Sequence, residues 1–93
     1  MLFTKKLREG VKNGDITTSI RIWQKPRVKV GGRYKMEDGE IVVTSIREIG
    51  FEDISEKMAR ESGFMNRVDL LKTAKHGSGV TIYFIRFRYE GPK

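Results

Sequence analysis

Cysteine is absent from the 93-residue chain, which excludes disulfides, a thiol nucleophile and thiolate metal ligands. With a single histidine, His76, there is no two-histidine acid–base pair, and nothing has the spacing of a metal site. No metal or other cofactor is therefore expected. His76 sits in a helix-ending turn, where its interaction with the helix dipole is reason enough for it. No phosphate-cradling P-loop is present, and Gly31-Gly32 reads as a turn. No apolar run approaches the roughly 18 residues of a membrane span, and the longest, Val80 to Ile85, has strand length. The opening Met-Leu-Phe-Thr-Lys-Lys lacks the apolar core of a secretory signal. A cytoplasmic protein without a membrane partner is the expectation.

What the chain has is positive charge, unevenly placed. The formal net charge is +7, with 19 Lys and Arg against 12 Asp and Glu. Residues 1–35 hold ten of the cations and only Glu9 and Asp15 against them. The remainder is close to neutral. A basic first third raises the prospect of a polyanionic partner, nucleic acid before membrane.

The centre of that charge runs from Gly14 to Lys35. Lys25, Arg27 and Lys29 are spaced two apart, which in an extended chain puts all three on one face and Pro26, Val28 and Val30 on the other. Arg21 and Arg33 flank the row. Trp23 beside it reads either as core packing or as a base-stacking platform.

Taken in order, Phe3, Leu7 and Val11 repeat at i, i+4, i+8 and predict a short amphipathic helix, with Thr4 as a cap and Asn13-Gly14 as its stop. Thr17 to Trp23 and Arg33 to Met36 read as strands. Asp38-Gly39 reads as the centre of a type I′ hairpin turn leading into a strand from Ile41 to Ile49. Asp53-Ile-Ser-Glu56 resembles a capping box for a helix ending at Ser62-Gly63. Asn66 caps a further helix with Val68, Leu71 and Ala74 as its apolar face, closed by Lys75-His76-Gly77. Val80 to Tyr89 is the strongest strand, with Arg86 and Arg88 projecting near its end. The order α-β-β-β-α-α-β in one domain, residues 1–93, predicts an α+β fold: a small curved sheet or barrel with flanking helices.

Gly14-Asp-Ile-Thr-Thr-Ser19-Ile-Arg21 follows the first helix and enters a strand. The basic loop, Gly32-Arg-Tyr, a hairpin, the helix ending Ala59-Arg-Glu-Ser-Gly63-Phe and the Tyr83-Phe-Ile-Arg-Phe strand come after it. This arrangement resembles the ASCH domain of the PUA-like superfamily over essentially the whole chain. The resemblance implies a PUA-like β-barrel with helices beside a cleft and a role in RNA binding. Some members of that family are hydrolases, including N4-acetylcytidine amidohydrolases and ribonucleases. In the family motif Gly14 matches the Gly, Ser19 the hydroxyl and Arg21 the Arg. Ile16 stands where the family has its Lys, and Ser62, with Glu61 beside it, stands where the amidohydrolases use a carboxylate. Whether the chain is an enzyme is thus left open.

Three functions are compatible with these residues. The first is RNA binding, with Arg21, Trp23, Lys25, Arg27, Lys29 and Arg33 as contacts and Arg86 and Arg88 extending the patch if the last strand lies beside the first. The second is a small hydrolase acting on RNA or a modified nucleoside through Ser19 and Glu61, although Ser19 lacks a base nearby in sequence. The third is a protein-interaction module whose basic face meets an acidic partner.

Overall fold

The computed structural model describes residues 3–74 and 81–92. Helix α1 (Lys5–Lys12) is followed by strands β1 (Thr18–Trp23), β2 (Arg33–Met36) and β3 (Gly39–Ile49). A 3-10 turn (Phe51–Asp53), helices α2 (Glu56–Glu61) and α3 (Arg67–Ala74) and strand β4 (Thr81–Glu90) complete the chain. The strands form one curled antiparallel sheet, a half-barrel, in the order β1-β4-β3-β2. The expected α+β class and element order are both present.

β4 is apolar on both sides because it is an inner strand covered on both faces. Ile85 faces Ser19 on β1 and Ile46 on β3, and Phe84 faces Ile20 and Arg47. Alternation along the strands then sorts every side chain to one of two faces. On one face, Tyr83, Ile85 and Phe87 join Ile41, Val43, Met36 and Trp23. α1 covers part of it through Phe3 and Val11. On the other face, Ile20, Ile22 and Phe84 pack against Ile54, Ala59 and Leu70 from the α2 and α3 region.

Several local expectations are corrected. The hairpin turn is Glu37-Asp38, one residue earlier than Asp38-Gly39, because Met36 pairs with Gly39; Glu37 takes the positive φ of 55°. Gly39 is needed in the strand instead, where a Cβ would run into the Glu90 carbonyl and the Tyr89 ring. Thr4 precedes α1 without a capping side-chain bond. Ser55, not Asp53, caps α2 by accepting from the Met58 amide at 3.0 Å, while Asp53 accepts from the Gly50 amide at 2.8 Å. Asn66 caps α3 as expected, accepting from the Asp69 amide at 2.9 Å. The face that α3 buries is Leu70, fully enclosed, whereas Val68 points to solvent at 60% exposure. The side chains of Leu71 and Ala74 lie outside the described residues, as do the Lys75-His76-Gly77 helix end and Val80. Thr44 has no partner on β4 and bulges out of β3 between Val43 and Ser45.

The stretch 24–32 is the connection that positions the site. It runs between β1 and β2, the two edges of the sheet, and lies over the α1 face. Val28 is its anchor, buried against Trp23, Val43, Tyr83 and Ile85. Gly31 N–H donates to the Val43 carbonyl at 2.8 Å, and Val43 N–H donates to the Gly32 carbonyl at 3.1 Å. The Lys29 amide donates to the Tyr34 hydroxyl at 2.9 Å.

Candidate nucleic-acid interface

Lys25, Arg27 and Lys29 are all exposed on this loop. None of them has a salt bridge among the described residues. The strict alternation expected of an extended chain holds only at Val28, since Pro26 is exposed and Val30 is 61% exposed. The segment is a series of bends pinned at one apolar residue and at its glycine end. Three unneutralised cations are therefore held on a fixed support instead of a free tether.

Trp23 belongs to that support. It is 8% exposed, its ring centroid 5.9 Å from that of Tyr83. The indole is a wall of the core beneath Val28 and offers no open face for a base. The packing alternative is the one the structure has.

Arg21 and Ser19 share the α1 face with Trp23, being two and four residues back along the same strand. Arg21 Nε donates to Ser19 Oγ at 2.8 Å, and its Cζ sits 5.1 Å from the centre of the Phe3 ring. Burial lowers the Arg21 pKa from its ordinary value, yet arginine keeps its charge at neutral pH. Ser19, 4% exposed, thus accepts from a cation. A nucleophile also needs a base that takes its proton, and no such partner of Ser19 appears among the described hydrogen bonds.

The two residues considered for hydrolysis are not brought together. Glu61 is exposed at the end of α2 and pairs with Lys57 at 3.8 Å. Its neighbour Ser62 is 2% exposed and shares a 2.9 Å hydrogen bond with Thr18. Thr18 and Ser19 point to opposite sides of β1, so the strand itself separates Ser62 from Ser19. His76 lies outside the described residues. Among the described residues no group of three or more His, Asp or Glu could hold a metal ion, and no helix is long and apolar enough to cross a membrane.

Arg33, Arg86 and Arg88 belong to the other face of the sheet. Arg33 faces Val42, Val42 faces Arg88, and Arg86 faces Thr18. β4 does pair beside β1, but its arginines project away from the loop, so they do not extend the row of Lys25, Arg27 and Lys29. Two of them are also ion-paired. Arg33 Nη1 lies 2.7 Å from Glu90 Oε1, and Arg88 Nη2 lies 2.9 Å from Glu90 Oε2. Near them a groove of about 470 Å³ is lined by Lys35, Asp38, Gly39, Glu40, Glu90, Gly91 and Pro92. Arg47, which sequence reasoning passed over, stands on this same face at 5.8 Å from the Phe84 ring centre. Only the register of β3 on β4 could have found it.

The hydrogen bond from Arg33, followed by that from Arg88, holds the Glu90 carboxyl below the usual carboxylate range. A depressed carboxyl stabilises the fold above its unfolded pKa of about 4.3, and that contribution disappears as pH falls through the lower folded value. Glu90→Gln is thus expected to destabilise the protein near neutral pH and to match the wild type in strong acid. Urea unfolding at the two pH values reads the difference; an equal loss at both would assign Glu90 a packing role instead.

Comparison with known protein families finds none that matches this chain, and none of the curated proteins or solved structures compared with it matches either.

Proposed function

We propose that the chain is a single-domain RNA-binding protein of the ASCH, PUA-like type that holds the sugar–phosphate backbone on the loop between β1 and β2. One observation carries this reading: Lys25, Arg27 and Lys29 are exposed without ion-pair partners among the described residues, on a loop fixed from below by Val28. A pre-shaped row of cations loses little conformational freedom on meeting a polyanion. The type assignment is supported by Gly14, Ser19 and Arg21 in their motif positions and by a curled sheet carrying short helices. A cytoplasmic location accompanies it. Arg21 orders β1 through Ser19, and Arg33 and Arg88 are ion-paired with Glu90, so the contact set narrows to the loop.

The test is fluorescence anisotropy with a labelled mixed-sequence single-stranded RNA across a salt titration. Three phosphate contacts contribute about −2 to the slope of log K against log salt. The variant K25Q/R27Q/K29Q is expected to lose that contribution and to bind about a hundredfold more weakly at 0.1 M salt. An unchanged slope would sink the assignment. Capture of a protein from a lysate that survives nuclease treatment, with no RNA bound, would transfer the basic loop to an acidic protein partner.

A further inference from the structure

Beyond the apolar residues Ile82 and Phe84, β4 turns basic on its α2/α3 face with Arg86 and Arg88. Arg86 faces Thr18 on β1 and Ser45 on β3, and Arg47 faces Phe84. Arg47 and Arg86 are therefore diagonal neighbours on adjacent strands. Their Cζ atoms lie 5.8 Å and 5.4 Å from the centre of the same Phe84 ring. Like charges so placed repel each other. Among the described residues neither has a hydrogen bond or a salt bridge to offset that. Further along the same face the repulsion between Arg33 and Arg88 is relieved by Glu90, which sits between them. The Arg47–Arg86 pair has no such anion among the described residues.

Phe84 gives the pair a common support. The ring is 6% exposed and packed with Ile20, Ile22 and Leu70, and both guanidinium groups lie over it. Two planar forks held on one support match the tetrahedral oxygens of phosphate, which arginine binds bidentately. The geometry points to a phosphate clamp formed by Arg47 and Arg86 over Phe84. This site goes beyond the loop reading, because the sheet lies between the two: Val28 docks on the α1 face and the clamp on the α2/α3 face. The phosphate has two sources with the same chemistry, an RNA backbone or a free phosphate compound.

The experiment follows the arginine Nε–H resonances of the full chain by NMR. Inorganic phosphate is titrated against chloride at constant ionic strength, and then a short mixed-sequence single-stranded RNA. Arg47 and Arg86 are expected to shift together with inorganic phosphate, while Arg33 and Arg88 stay put. Arg47→Gln is expected to abolish the response of Arg86. If the source is RNA, R47Q/R86Q lowers the salt slope of RNA binding by about 0.7, the loss of one phosphate contact on a single strand. A phosphate response with an unchanged RNA slope assigns the clamp to free phosphate. Resonances of Arg47 and Arg86 that respond no more to phosphate than to chloride overturn the proposal. Arg27 reports the loop separately, so its silence toward RNA would remove the loop reading and leave the clamp standing.

Discussion

Ile85→Ala is expected to lower the stability of the fold by about 2–5 kcal/mol. Ile85 is fully buried on an inner strand, in contact with the cluster of Trp23, Val28, Val43 and Tyr83. Removing its outer carbons forfeits their transfer free energy and leaves a cavity. That cavity closes poorly, because β4 is hydrogen-bonded on one side to β1 and on the other to β3. Against a total of about 5–15 kcal/mol for an ordinary domain, such a loss takes a large share. Urea denaturation measures it as a lower midpoint with an unchanged m-value. Val30→Ala is the control: that side chain is 61% exposed, and its loss should stay within about 0.5 kcal/mol. Equal effects at the two positions would mean that the Val28 side of the sheet is not closed.

Gly39→Ala is the second large effect, expected at about 1–3 kcal/mol or more. The new methyl group would meet the Glu90 carbonyl oxygen and the Tyr89 ring and hydroxyl. The tyrosine could be pushed aside, at the loss of its hydrogen bonds to the Asp38 carboxylate at 3.1 Å and the Met36 carbonyl at 3.3 Å. The carbonyl cannot, because Glu90 pairs with Glu40 in the ladder. Gly14→Ala separates close approach from backbone strain. Gly14 has φ of +86° but nothing within 4 Å of an added Cβ, so only the left-handed strain of about 1–2 kcal/mol applies. The distinguishing readout is Tyr89, whose ring resonances should move in Gly39→Ala and not in Gly14→Ala. A Gly39 variant with wild-type stability would show that the β3–β4 contact is looser than described.

The local pattern of the chain carried much of this architecture. Period-two runs of β-branched and aromatic residues place β1, β2 and β4 to within a residue, and Phe3, Leu7 and Val11 place α1. The physics behind these is short-range, so it is visible in a window of a few residues. Strand order is different in kind. Nothing between Val80 and Tyr89 says that this strand lies between β1 and β3, and the fate of every arginine depends on it. Arg33 looks like a free cation until Glu90, far along the chain, is folded beside it. Arg47 looks like any charge near a strand end until the register sets it against Phe84. Val68, Leu71 and Ala74 share a helical spacing that leaves Leu70 out, yet the packing of α3 against β1 buries Leu70 and keeps Val68 exposed. The loop fared better, because the exposure of Lys25, Arg27 and Lys29 needs no partner strand, only the burial of Val28.

The position of β4 also fixes when the protein can fold. Synthesis delivers β1, β2 and β3 well before the strand that joins them, and Thr18 waits for Arg86. Only the β2–β3 hairpin can form as it emerges. At about 5–20 residues per second the ribosome leaves β1 without a partner for some seconds, Ile20 and Ile22 uncovered. An inner strand of the sheet arrives last, so the sheet closes in one step once residue 90 is available, and chains cut short of it are substrates for chaperones and proteases.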